Sequence, residues 1–474
     1  MRIRTDKKTH IWSLTGQVVS VASGLLLMPL MMVFVPEDYL GLWYVYAAIG
    51  AIVTLFDNTF APALARNIAY VWTGARHLQK KDVAEEDCEE IDPVLFKKVL
   101  RTCRLIYLVI SGASLVIMLG GFTWHVLSVS ATLDSAVVIV SWTIYCAAVF
   151  FNMLYCYFSS FLRGTGDFVA LNKATIISKL VYLGGALLFL LLDMGILGVS
   201  FSYFLSGFTF RFVSRFFFYR NPDVKKTLAA AKHKVTFAEE WAIFKILWYN
   251  SWREGLIALA NYFASQVTTL IASSYLSLSD TGVYSISMQI ISSVSLVAFT
   301  YFNTSMPAIQ SNYVAGDKEA VKKLVSSSAV FAVIMFAVCF AGAVFVGLPI
   351  LHLIKPTYQF NILLLGIMAV YELLYKHHSL FCSYLSCTNR LPYVWSFLIS
   401  SAFGLLFTFL LMQFTNVGVY GLILGGMAAQ LLFNNWFWPA KVLRELSVNY
   451  FAFLGLGTKT LVEKFRRKKD KEKQ

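Results

Sequence analysis

Apolar residues run through this chain in long blocks separated by short polar punctuation, and the blocks set its class. Twelve of them fall at about 11-35, 42-65, 105-127, 134-160, 172-192, 196-217, 251-275, 283-308, 324-348, 358-386, 392-412 and 417-438. At about 1.5 Å per residue, each is long enough to cross a hydrocarbon core of about 30 Å as a helix. The pattern predicts an all-α polytopic membrane protein with about twelve transmembrane helices. The first block follows Arg2, Arg4, Lys7 and Lys8 but is a 25-residue apolar run with no small-residue cleavage site, so a retained helix is expected, not a signal peptide.

Composition agrees: 58% of the 474 residues are hydrophobic and 14% charged, where a soluble domain has about 25% charged. The net charge of +14 would raise nucleic acid as a partner if it were spread over a surface. It is confined to one side. With the N-terminus placed in the cytoplasm, 37 of the 40 basic residues lie in or beside inner segments; Lys179 and Lys376 lie within helices and Lys355 alone lies outside. Outer loops and their edges carry Glu37, Asp38, Asp134, Asp193 and Asp280. This asymmetry predicts two cytoplasmic termini and an even number of crossings, and leaves no nucleic acid to be expected.

The chain also repeats itself. `FSSFLRGTGD` (Phe158 to Asp167) is echoed 223 residues later by `FCSYLSCTNR`, and `GILG` (Gly195 to Gly198) by `GVYG` at the same offset. `EDYLGLWYV` from Glu37 answers `SDTGVYSI` from Ser279, and `FKKVL` from Phe96 answers `VKKLV` from Val321. The offset falls from about 241 to about 225 across the first inner loop, as an insertion there requires. That loop holds `DVAEEDCEEID`, seven acids in eleven residues. The expected organisation is a six-helix half at 1-217, an amphipathic cytoplasmic connector at 218-250 bearing Phe237, Trp241 and Phe244, a second six-helix half at 251-440, and a basic cytoplasmic tail at 441-474. Each half crosses an even number of times, so the two are parallel repeats, an arrangement that transporters use with substrate between the halves.

Two possible chemistries are bland on inspection. The `GTG` at Gly164 to Gly166 follows no strand and its echo is `CTN`, so a helix end is expected in place of a phosphate loop. None of the seven cysteines lies in an outer loop, and Cys382 and Cys387 lack metal-ligand spacing, so neither a disulfide framework nor a metal site is expected.

`PEDYLGLWYVYAAIGAIVTLFDNTFAPALARNIA`, with its Gly-x-Trp turn, mid-helix acid and closing Arg, resembles the opening of polysaccharide exporters and O-antigen flippases. These belong to the multidrug/oligosaccharidyl-lipid/polysaccharide exporter superfamily. `LSDTGVYSIS`, the twelve crossings and the two halves extend that resemblance over nearly the whole chain, while Asn58, where Gly is common, and the acidic insertion depart from it. The resemblance implies a flippase in a bacterial inner membrane. Its cargo would be undecaprenyl-pyrophosphate-linked oligosaccharide for O-antigen, lipopolysaccharide or exopolysaccharide, with membrane lipids and other polysaccharide-assembly proteins as further partners. A few cations with many hydroxyls and amides would replace the head's water. No cofactor is implied, and coupling to H⁺ or Na⁺ stays open.

The residues that could serve this are polar groups in crossings. Asp57 sits too deep for its short side chain to reach water, so it either lines a path or couples protons, or it makes a helix-helix hydrogen bond. Arg66 lies half a turn round the helix from it and reads as an inner-face anchor. Glu372 and Lys376, at i and i+4, either neutralise each other or divide proton uptake and pyrophosphate contact between them. His377 and His378 stand beside them. Arg253 and Glu254 open the seventh crossing near the inner headgroups, and Lys179 lies about two turns into the fifth, either snorkelling or facing cargo. Asn152, Asn261 and Gln266 are weaker path candidates. A cation-coupled drug antiporter should favour unpaired acids, whereas these crossings mix acids with cations. An oligosaccharide polymerase or ligase should display a sizeable outer loop, and none exceeds about `GLPILHLIKP`. A lipid II flippase should have fourteen crossings. No catalytic set stands out, so an enzyme is not expected.

Overall fold

The computed structural model describes residues 7-78, 90-314, 317-356, 360-387 and 391-471. Most of the acidic insertion, Cys88, and Thr388 to Arg390 with the last two residues of the `CTN` echo lie outside the described residues, as do the side chains of Asn58, Glu254 and Cys387. All regular structure within them is helical. In chain order come α1 (Lys7–Phe34), α2 (Glu37–Trp72), α3 (Pro93–Ile117), α4 (Thr123–Val129), α5 (Ser135–Leu154), α6 (Tyr157–Gly164), α7 (Phe168–Leu191), α8 (Gly195–Arg220), α9 (Pro222–Ala230) and α10 (Phe237–Ser265). They continue as α11 (Val267–Tyr275), α12 (Leu278–Val314), α13 (Lys318–Gly342), α14 (Leu348–Ile354), α15 (Ile362–Cys387), α16 (Val394–Phe414), α17 (Gly421–Leu432), α18 (Asn434–Glu445) and α19 (Tyr450–Lys471).

Nine stretches among the described residues are long and apolar enough to cross a membrane. The remaining three expected crossings are helical as well. α1 has a shorter apolar run, Val18–Phe34; α15 carries Glu372 and Lys376; the last is split into α17 and α18 at Phe433, whose φ of −143° and ψ of −58° leave the helical region. The chain is thus an all-α polytopic membrane fold of about twelve crossings.

Local chemistry explains where helices begin and end. Asp92, Asp134, Asp167 and Asp317 each accept hydrogen bonds from first-turn N–H groups, the usual work of an N-cap. At the end of α6, Asp167 N–H donates to Leu162 O at 2.8 Å and Gly166 N–H to Arg163 O at 3.1 Å, with Gly166 at φ +81°. That is a Schellman closure, so the `GTG` stretch ends a helix as expected. Gly164 has a different task, since a Cβ there would lie 2.6 Å from Ile68 and 2.8 Å from Ala65 O on α2.

Contacts divide the chain into two compact units, Met1–Tyr262 with Ser277–Gly282, and Phe263–Leu276 with Val283–Gln474. The chain passes between them inside the seventh crossing. In the first unit, α1 packs on α7, α7 on α8, α5 on α8, and α2 on α6. In the second, α16 packs on α17, α15 on α18, and α13 on α19.

The repeat is visible inside each unit. A π-helical turn interrupts the third crossing of the first at Met118–Phe122 and of the second at Ala343–Gly347, starts 225 residues apart. Gly195 and Gly418, 223 apart, both take positive φ, +49° and +57°. A terminal helix packs on the third crossing in both. In the first unit the start of α10 lies on α3; in the second α19 lies on α13, where a Cβ on Gly457 would meet Ser326 O at 2.5 Å. α19 is an element that the charge-based reading of 441-474 did not contain, and the connector 218-250 resolves into α9, a link and the continuous start of α10.

The link is clamped. Lys97 Nζ donates to Ala231 O at 2.7 Å and His233 O at 3.0 Å, Lys98 pairs with Glu239 at 2.8 Å, and Arg101 pairs with Glu240 at 3.0 Å. Lys98, with the Thr236 N–H and His233 behind it, holds the half-buried Glu239 carboxyl down to about 2. A depressed carboxyl stabilises the fold fully above its unfolded pKa near 4.5 and loses that effect as pH falls through its folded value. The melting-temperature difference between the wild type and Glu239→Gln should therefore be the same at pH 6 and pH 8 and shrink at pH 3. A difference that instead changed between pH 6 and 8 would assign the effect to His233.

Within the first unit, a Cβ on Gly41 would overlap the Leu278 carbonyl. Gly41→Val forces that backbone apart at a cost of about 3 kcal/mol. The amount of folded protein recovered from membranes should fall severalfold, and unchanged recovery would contradict this packing.

Candidate functional site

The first unit gathers polar side chains where its fourth crossing breaks. α5 ends at Leu154 and α6 starts at Tyr157, with Tyr155 at φ −106° and ψ 10° between them. Irregular backbone at membrane depth is tolerated only when buried in protein or lining a polar cavity. Here the break sets Cys156 beside Asp57. Asp57, half-buried, also accepts from the Tyr107 hydroxyl of α3 at 2.8 Å. Its partner is therefore across a helix pair, and Arg66 is exposed farther along α2.

Arg211 of α8, counted in the sequence only as an inner-side cation, joins this cluster. Its Nε donates to Asn152 Oδ1 at 3.2 Å and its terminal nitrogen to Ser159 Oγ at 2.8 Å. Gly207 makes the space, because a Cβ there would overlap the Asn152 amide nitrogen. Nearer the start of α2 the same unit is packed with rings: Tyr145 stacks on Tyr203 at 5.3 Å and on Trp142 at 6.0 Å, and the Tyr46 hydroxyl meets Ser141 Oγ at 3.1 Å. Tyr46, Trp142 and Tyr145 are buried, so rings fill that part of the unit and the polar part lies towards the basic ends of the helices.

Lys179 stands apart. It is half-buried in mid α7, eleven residues past Phe168, deeper than the sequence reading placed it, and has no ion pair or hydrogen bond among the described residues. Arg253, exposed, lies over the Trp252 and Tyr249 rings at 5.3 and 5.9 Å and has no carboxylate partner among the described residues. Asn261 and Gln266 are exposed on the seventh crossing, and Gln266 marks the break between α10 and α11.

In the second unit, Glu372 and Lys376 are 3.7 Å apart, with side chains 15% and 37% exposed. His378 is fully buried; its Nδ1 contacts Leu374 O at 3.1 Å and Asn435 Oδ1 at 2.8 Å, which fixes the proton on Nδ1 because the carbonyl can only accept. His377 Nε2 meets the Tyr450 hydroxyl of α19 at 3.0 Å. The break at Phe433 carries its own amide cluster: Asn434 Nδ2 donates to Gln430 Oε1 at 2.8 Å, and Trp438 Nε1 to Asn434 Oδ1 at 3.1 Å.

The two halves differ at the polar positions named in the sequence. At the offsets above, Asp57 corresponds to Ala298, Lys179 to Ala402, Glu372 to Val149 and Lys376 to Met153. The helix breaks at Tyr155 and Phe433 also lack a counterpart, since α15 and α8 run unbroken there. Charge and a broken helix inside a membrane cost free energy, and these charges and these two breaks fall where the halves differ, whereas the π-helical turns are shared by both.

No protein-family model matches the sequence, and no curated protein matches it. Solved structures do. An inward-facing multidrug resistance MATE family transporter of the MOP superfamily aligns with a TM-score of 0.65 at 14% identity, over 91% of this chain and 95% of the other. The lipid II flippase MurJ in an inward closed conformation gives 0.62 at 15% identity, over 95% and 91%. An outward-facing MATE family transporter of the same superfamily gives 0.59 at 16%, over 93% and 96%. At these identities the likeness establishes the fold alone, which is the fold of those transporters.

Proposed function

We propose that this protein is a flippase of a bacterial inner membrane that exports undecaprenyl-pyrophosphate-linked oligosaccharide repeat units by alternating access, without catalysing a reaction. One observation carries the reading. Both mid-helix acids have partners, Asp57 with Tyr107 and Glu372 with Lys376, whereas Lys179 and Arg253 have no counter-ion among the described residues. Cations with no counter-ion among the described residues suit a pyrophosphate head, which must shed water to pass a bilayer. A cation antiporter calls for the opposite balance. The likeness to a lipid II flippase supports a lipid-linked cargo, since that neighbour moves a lipid on the same fold. Deleting the gene should cause a lipid-linked oligosaccharide to accumulate on the cytoplasmic side. If none accumulates and cationic-dye efflux falls instead, the protein is an antiporter.

A further inference from the structure

Two basic clusters flank the connector, and they are treated differently by the fold. Lys97, Lys98 and Arg101 of α3 are all consumed by carboxylates and carbonyls of the link and α10. Arg215, Arg220 and Lys225, at the α8–α9 corner, are exposed and have neither an ion pair nor a hydrogen bond among the described residues. With Phe212, Phe216 and Tyr219 they line a groove of about 530 Å³ in the first unit. No acid lines it. The nearest in sequence, Asp223, is set by the turn in which its N–H donates to Asn221 Oδ1.

The apolar side of the groove continues along α8. Phe201, Phe204, Phe208 and Phe212 stack in succession at 6.3, 6.3 and 6.4 Å with interplanar angles of 13° to 20°. Phe216 carries the row on to the cations, 62% of Phe212 and 51% of Phe216 being exposed. From Phe201 to Phe216 the ladder rises about 22 Å, about half as much again as one leaflet's share of a core about 30 Å thick. Arg220 lies over the Phe216 ring at 5.7 Å and Arg215 over Tyr219 at 5.8 Å, so the rings keep the guanidinium groups at the ladder's end.

We propose that this corner binds one anionic glycerophospholipid, its phosphate between Arg215, Arg220 and Lys225 and an acyl chain along the aromatic ladder. The complementarity is of both kinds at once. Three unneutralised cations attract a phosphate diester, and the exposed row of rings at membrane depth accepts a chain. The site does not depend on what the protein transports.

The test is a titration of the purified full-length protein with dioleoylphosphatidylglycerol and dioleoylphosphatidylcholine, read by native mass spectrometry. The wild type should retain the anionic lipid at least tenfold more tightly. Replacing all three cations (Arg215→Gln, Arg220→Gln, Lys225→Gln) should reduce that preference to about twofold, and Phe212→Ala with Phe216→Ala should weaken both lipids about threefold. Removing equal charge elsewhere, by Lys318→Gln, Lys322→Gln and Lys323→Gln, should leave the preference intact. If the triple groove variant does not accumulate, each single variant should show a loss of about threefold. The proposal is overturned if the groove variants keep the tenfold preference or if the control loses as much as they do. Displacement of phosphatidylglycerol by undecaprenyl pyrophosphate at lower concentration than by phosphatidylglycerol itself would also overturn it, giving the groove to the cargo.

Discussion

Lys179→Met should lower export at least about thirtyfold and leave the protein as abundant and at least as heat-stable as the wild type. A cation in mid-crossing costs at least about 2.5 kcal/mol on insertion scales, and Lys179 has no protein group among the described residues to offset it. Removing an uncompensated charge relieves that cost, so stability should hold or rise. What should be lost is attraction for an anionic head. About 2 kcal/mol of it corresponds to thirtyfold, at 1.4 kcal/mol per factor of ten. Lys179→Arg keeps the charge and should keep most export. Full export by Lys179→Met would remove this residue from the path.

Asp57→Asn should abolish export with the melting temperature almost unchanged. The amide oxygen can still accept from Tyr107, so the α2–α3 hydrogen bond survives while the titratable group is gone. Asp57→Ala, by contrast, leaves the buried Tyr107 hydroxyl unsatisfied and should cost about 1 to 3 kcal/mol. Lys376→Ala should likewise abolish export, and it strips Glu372 of its partner. The double variant Glu372→Gln with Lys376→Met separates the two effects, because neutralising both partners restores stability that removing one destroys. If the double variant regains stability and export together, the pair is structural. If it regains stability alone, the pair acts on cargo or coupling. Complementation by both Asp57→Asn and Lys376→Ala would sink the assignment of both residues.

What the sequence reveals here is what hydropathy and duplication can encode. The twelve apolar blocks reappear as helices, and the repeat read from `GILG` and `GVYG` returns as two glycines with positive φ. The end of α6 was legible because a Schellman closure needs a glycine, and Gly166 supplies it. The breaks were not. Tyr155 and Phe433 leave helical geometry without a glycine or proline at the break, beside polar side chains that only the fold brings together. The partners of Asp57 were hidden for the same reason, since Tyr107 and Cys156 approach it from fifty and ninety-nine positions away. Arg211 was masked by its company, sitting in sequence among basic residues of the inner side yet reaching Asn152 because Gly207 opens the way. α19 was hidden by its charge run, although its apolar first half and Gly457 carry the packing on α13.

The account rests on a path that carries an anionic, lipid-anchored head past intramembrane cations. Its most direct test is reconstitution of the full-length protein in liposomes loaded with labelled undecaprenyl-pyrophosphate oligosaccharide, reading how fast the sugar becomes accessible in the opposite leaflet. The account predicts transfer well above protein-free vesicles and near background with Lys179→Met; equal transfer by the wild type and Lys179→Met, or none by the wild type, would contradict it.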